Sequence, residues 1–181
     1  GIRDTLYMTL ASTLFGYIIG LPMGIVLTVT DKDGIRPNAA VYKVLDVISN
    51  LLRSIPFIIL LIVLIPFTRF VVGRSYGSTA TIVPLTIAAA PYIARMVESS
   101  LKEVDAGVIE AARSMGASDF QIVTKVMLVE ARTSLIVGAT ISLGTILGYS
   151  AMAGTVGGGG LGDIAIRYGY TRWQTDIMVV T

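Results

Sequence analysis

The spacing of charged residues constrains this chain more than any other feature. No charge occurs in the 26 residues between Asp4 and Asp31, the 20 between Arg74 and Arg95, or the 30 between Arg132 and Asp163. A shorter gap of 15 separates Arg53 from Arg69. A membrane-spanning helix needs roughly 20 mostly apolar residues. A soluble domain of 181 residues would not need three such gaps. Charged residues make up 14% of the chain, against about 25% in a typical soluble domain. Mean hydropathy is +0.77. The pattern predicts an all-α polytopic membrane protein, with residues 1–181 forming a single transmembrane domain.

The composition excludes whole classes of chemistry. Without cysteine there is no disulfide, thiol nucleophile or thiolate-bound metal. Without histidine there is no Ser-His-Asp triad and no H-E-x-x-H zinc site. The net charge of +2 does not point to nucleic acid, because the cations are spread over connecting segments as membrane topology alone requires. The first apolar run is too long for a signal-peptide core and has no A-x-A-like ending.

The first span is expected at about 6–29. Gly16, Gly20 and Gly24 share one of its faces, where small residues let helices approach closely. Pro22 is expected to kink it. The second span is irregular. Its most apolar run, 54–67, is short and holds Pro56 and Pro66, and Arg53 is expected at the membrane edge, snorkelling to the headgroups. The third span is expected at 79–97 and the fourth at 134–156. Gly157, Gly158, Gly159 and Gly160 predict a flexible or tightly turned loop. Trp173 could anchor a fifth span at an interface, but nine residues, counting Trp173, are too few to cross; the fifth span is expected to be incomplete.

Eight Lys and Arg residues fall on the side that holds 31–43 and 95–132, against five on the other. The positive-inside rule then places that side in the cytoplasm and the N-terminus outside. No internal repeat is evident, which disfavours inverted-repeat carriers. Asp46 and Glu98 lie near span ends and Asp163 lies outside, so no acid pair is expected at membrane depth. That argues against a proton-coupled carrier.

The charged segment 98–133 carries the most information. Residues 106–115 and 118–127 read as two short helices. Ser118 and Gln121 fit a capping box, and Gly116 stands where a left-handed residue would end the first helix. Ile109, Ala112 and Met115 are expected on one apolar face, and Ile122, Val123 and Val126 on another. Glu98 and Lys102 read as a solvated i, i+4 pair. From pattern alone, packing of these faces on the chain's own spans is favoured over docking to a separate subunit.

Glu110-Ala111-Ala112-Arg113-Ser114-Met115-Gly116 resembles the EAA loop of ABC importer permeases. Val129 stands where that family usually has Pro. Arg53-Ser54-Ile55-Pro56-Phe57, Ala90-Pro91-Tyr92-Ile93-Ala94-Arg95-Met96-Val97-Glu98 and Gly148-Tyr149-Ser150-Ala151-Met152 resemble the methionine branch of that family. The resemblance covers nearly the whole chain. It implies a five-span type I importer permease core in the bacterial inner membrane, working as a homodimer. It implies two cytoplasmic ATPase subunits, which bind ATP and Mg, and an extracytoplasmic substrate-binding lipoprotein. The permease itself would bind no cofactor and catalyse nothing. Glu110, Ala111, Ala112 and Gly116 would couple to the ATPase: the alanines allow close approach to its groove, Glu110 offers a carboxylate, and Gly116 permits the turn.

Ser142, Thr145 and Tyr149 lie at i, i+3, i+7 on the fourth span, with Met152 beyond them. They read equally as helix packing or as a translocation path, with Met152 a candidate gate. The glycine run lacks the Lys-Ser/Thr of a P-loop, so the chain has no nucleotide site of its own. A gradient-driven transporter or channel for a small solute stays open as the alternative function.

Overall fold

The computed structural model describes residues 1–181 and is helical throughout. Helix α1 spans Ile2–Thr30 and runs unbroken through Pro22. α2 (Ala39–Ser54), α3 (Phe57–Val63) and α4 (Ile65–Val72) follow. α5 (Ser78–Lys102) runs unbroken through Pro84 and Pro91. α6 (Ala106–Ser114) and α7 (Asp119–Gln121) form the charged segment, which continues as a π-helical turn over Ile122–Met127 and α8 (Leu128–Glu130). α9 (Arg132–Ala153), α10 (Gly160–Ile164) and α11 (Thr175–Val180) complete the chain.

Three helical segments are long and apolar enough to cross a membrane, beginning at Ile2, Ser78 and Arg132. The second expected span is a broken one: α2 and α3 meet at an angle of 103°. The cause is local. Ile55 precedes Pro56, whose ring disfavours the helical conformation before it, and Ile55 is extended (φ −80°, ψ 123°). α1 is apolar on all sides. Leu6, Leu10, Leu14, Phe15, Ile18 and Ile19 remain exposed although they belong to one continuous helix. A helix of this kind meets lipid rather than water on its outer face.

α5 is the axis of the bundle. α1 lies along it, and α2, α4 and α9 also pack against it. The glycine face predicted on α1 is the contact surface. A Cβ on Gly20 would stand 2.7 Å from the Ala90 carbonyl oxygen, and one on Gly24 would stand 2.5 Å from that of Ala94. Val, Ala and Ile of α5 fill the remaining space, so this face is occupied within the chain. The core divides in two. Met8, Phe57, Leu61, Leu85 and Ala153 pack near the start of α1. Ile93, Val97 and Leu101 of α5 pack with Ala112, Ile122, Val123 and Met127 of the charged segment and Ile146 of α9.

The glycine run is a pinned turn rather than a flexible loop. The Gly77 N–H donates to the Gly157 carbonyl at 3.0 Å, and the Leu161 N–H donates to Thr5 Oγ1 at 2.9 Å. Gly157 takes φ +81°, which a side chain would strain. Trp173 sits in a left-handed turn (φ 58°), 89% exposed, just before α11, which folds back against Gly169.

The glycine contact predicts a measurable asymmetry. Gly20→Ala is expected to cost about 1–3 kcal/mol through overpacking, read by denaturant unfolding in detergent. Gly148→Ala, whose Cβ meets nothing within 4 Å, is expected to leave stability unchanged or slightly raised.

Candidate functional site: the coupling segment and the α9 stripe

Local sequence builds the charged segment as expected. Asp105 caps α6, accepting the Gly107 N–H at 2.8 Å. α6 ends in a Schellman motif: Ala117 N–H donates to the Ala112 carbonyl at 3.1 Å and Gly116 N–H to that of Arg113 at 2.9 Å. Gly116 takes φ +83°. The capping box forms in both directions, with the Ser118 N–H donating to Gln121 Oε1 at 2.9 Å and the Gln121 N–H to Ser118 Oγ at 3.3 Å. Val129, with an amide hydrogen where Pro has none, lies within helical α8.

The inner and outer faces differ from the expected ones in two places. Ala112 is buried at 6% exposure against Ile122 and Val123, so it packs inward, and only Ala111 of the pair is open to a partner. Met115, expected beside Ala112, is the last residue before the Gly116 turn and is 82% exposed. Phe120, 75% exposed, stands just past the turn. Glu110 is exposed on the same projecting element. Sequence reasoning places Met115 on an inward face and does not name Phe120. Their signal is that two large apolar side chains flank a left-handed glycine at a helix end, where neither stripe can bury them.

The segment is fastened to the α1–α2 loop. The Arg113 guanidinium donates to the Ile35 carbonyl at 2.8 Å, and Asp119 lies 3.9 Å from Arg113 and 4.0 Å from Arg36. Behind it, Glu98 overturns its reading as a solvated link. It is 4% exposed and accepts from Tyr42 Oη (3.2 Å), Arg95 (2.7 Å) and Lys102 (2.8 Å). Arg95 also binds the Asp46 carboxylate, and Lys102 also binds Asp31 at 2.6 Å. Five alternating charges thus join the end of α1, α2 and α5, and Asp46 and Glu98 share one Arg rather than standing apart. A buried carboxylate needs such partners, because burying a charge unpaired is costly. The Lys102 ammonium holds the Asp31 carboxyl below the usual carboxylate range.

The α9 stripe splits. Ser142 is fully buried and donates to the Gly138 carbonyl at 2.8 Å, on the face that also buries Ile146 and Ser150. Thr145 is half-buried; its hydroxyl donates to the Ile141 carbonyl at 3.0 Å and lies 3.4 Å from Tyr92 Oη. Tyr149, also half-buried, stacks on Phe57 with ring centroids 4.8 Å apart and an interplanar angle of 6°. Met152 is 49% exposed.

The sequence profile of the family "Binding-protein-dependent transport system inner membrane component" matches residues 16–179. The chain belongs to this family. It is 49% identical to the probable D-methionine transport system permease protein MetI of Vibrio cholerae over 98% of this chain and 79% of that protein. Identity to the D-methionine transport system permease protein MetI of Escherichia coli K12 is 55%, over 85% of this chain and 71% of the relative. A solved inward-facing conformation of the MetNI methionine ABC transporter superposes with TM-score 0.96 at 52% identity, covering 99% of this chain and 85% of that one. An amino acid ABC transporter crystallised with histidines superposes with TM-score 0.77 at 21% identity, a likeness of fold alone. Members of the family are multi-pass inner-membrane permeases without catalysis of their own, and ATP hydrolysis resides in a separate subunit.

The buried network predicts two outcomes. Removing one partner of a buried ion pair leaves the other unpaired, so Glu98→Ala is expected to cost about 3–5 kcal/mol in detergent unfolding. Because the Asp31 carboxyl is lowered on folding, its contribution is fully present above its ordinary value of 3.8 and lost as pH falls further. The stability gap between the unaltered chain and Asp31→Asn, measured at pH 7, is therefore expected to close below about pH 4.

Proposed function

We propose that this chain is the permease of a methionine importer, drawing its energy from a cytoplasmic ATPase subunit. The observation that carries the reading is the shape of the charged segment. Its inner face, Ala112 with Ile122, Val123 and Met127, belongs to the same core as α5 and α9. Its outer tip presents Met115, Phe120, Ala111 and Glu110 without cover. Exposed aromatic and Met side chains ringed by polar groups are what a docking surface offers a partner. The strong likeness to MetI proteins and to the MetNI transporter supports both the partner and the cargo.

In this reading two permease copies assemble with two ATPase subunits. The tip, with Glu110, Ala111 and the Gly116 turn, sits in a groove of each ATPase. ATP and Mg bind there, not on this chain. When the ATPases close, the tip moves, and α5 and α9 move with it, because Ala112, Ile122 and Met127 pack on Ile93, Leu101 and Ile146. The network around Glu98 and the Arg113 tether to Ile35 carry the same motion to α1 and α2. An extracytoplasmic lipoprotein delivers the substrate. The N-terminus lies outside and the tip in the cytoplasm, in keeping with the excess of Lys and Arg on that side. Thr145, Tyr149 and Met152 line the path, while Ser142 holds α9 to the bundle. No repeat supports a gradient-driven carrier, so the importer reading is preferred.

Gly116→Val forces a β-branched residue into a left-handed conformation. It is expected to uncouple ATP hydrolysis from uptake in proteoliposomes while membrane insertion stays normal; full ATP-driven methionine uptake by this variant would refute the coupling role. The double change Met115→Ala with Phe120→Ala is expected to weaken co-purification of the ATPase subunit at least tenfold, scored by pull-down from detergent.

A further inference from the structure

Arg53 was expected to reach the headgroups from the membrane edge. It is the penultimate residue of α2, immediately before the bend at Ile55-Pro56, and it lines a cavity of about 210 Å³ with Phe57, Leu60, Ala88, Tyr92 and Tyr149. Ala88 and Tyr92 lie ten and fourteen residues into α5, which at 1.5 Å per residue places them about 15 and 21 Å from its first residue, Ser78. The hydrocarbon core is about 30 Å thick. The cavity therefore opens near the middle of the membrane.

Arg53 makes no ion pair, and its side chain is exposed and free to meet a solute. An Arg at this depth is costly, and where it occurs it faces a bundle interior or a water-filled path and marks a route for a solute. The rest of the cavity is apolar and aromatic. The Phe57 and Tyr149 rings stack to form one wall. The Tyr92 hydroxyl stands 3.4 Å from Thr145 Oγ1, whose own proton goes to the Ile141 carbonyl at 3.0 Å, and its oxygen keeps a lone pair for a further donor. One unpaired guanidinium beside an aromatic, aliphatic wall matches a small solute with a carboxylate at one end and an apolar side chain at the other. A lipid phosphate would carry the anion too, but headgroups do not reach the midplane.

We propose that this cavity is a substrate-binding subsite of the permease itself, taking an apolar α-amino acid. Arg53 pairs with the carboxylate in a two-pronged contact. Tyr92 adds a hydrogen bond. Phe57, Tyr149 and Leu60 hold the side chain, and a thioether gains sulfur–aromatic contact there. Arg53 at the end of α2 and Phe57 at the start of α3 reach the cavity from the two sides of the bend at Pro56. The proposal rests on the importer reading but is separable from it.

The chain has no cysteine, so Ala88→Cys creates its one thiol. In the complete permease–ATPase complex, without binding protein, methionine is expected to slow modification of that thiol by a methanethiosulfonate reagent at least fivefold. Methioninol, which lacks the carboxylate, is expected to protect far less, and adding Arg53→Gln is expected to abolish protection while Arg53→Lys restores part of it. Equal modification with and without methionine, or equal protection by methioninol, would overturn the subsite. In uptake assays Arg53→Gln is expected to raise KM at least tenfold, and an unchanged KM would also overturn it. Failure of the unaltered complex to import methionine with ATP would instead overturn the importer reading, and this proposal's cargo with it.

Discussion

The close contact of α1 with α5 is the constraint on which the rest depends. Gly16, Gly20 and Gly24 let the two backbones approach until a single added methyl group would meet Ala90 or Ala94 carbonyl oxygen. In lipid there is no hydrophobic drive to bring apolar helices together, so such contacts must come from fit. With α1 fixed, its last turn carries Asp31 to Lys102, and the loop after it reaches Arg113. The position of the projecting tip thereby follows from a packing contact one to four turns back along α1.

The charge network extends that contact rather than replacing it. Glu98 is buried among Tyr42, Arg95 and Lys102, and through them touches α2 and the end of α1. Ion pairs of this kind hold geometry more than they add stability, since desolvation offsets much of the attraction. Geometry is what a motor-driven permease needs. The packing and the ion pairs tie the inner face of the tip, the end of α5 and α2 into one connected body.

The broken second span serves the opposite need. Arg53 and Phe57 stand on either side of the pre-proline bend and line one cavity with Ala88 and Tyr92 of α5. Rigid coupling near the tip and a bent, cavity-lining element at depth are the two halves of an alternating-access device.

Much of this was legible in order along the chain. Charge gaps marked three spans because hydrocarbon excludes charge over a fixed length. Asp105, Gly116, Ser118 and Gln121 announced their caps because capping is settled by residues within four positions. The two short helices of the charged segment were legible for the same local reason. What tertiary structure alone decided lies between residues far apart in sequence. Glu98 became a buried hub because Tyr42, 56 residues away, covers it, and spacing within α5 could suggest only Lys102. Met115 turned outward and Ala112 inward because Ile122 and Val123 fold back under α6. Arg53 shares a cavity with Ala88 and Tyr92, more than thirty residues further on, because α2 packs against α5. Periodicity reports which face of a helix is apolar; it carries no record of what that face will meet.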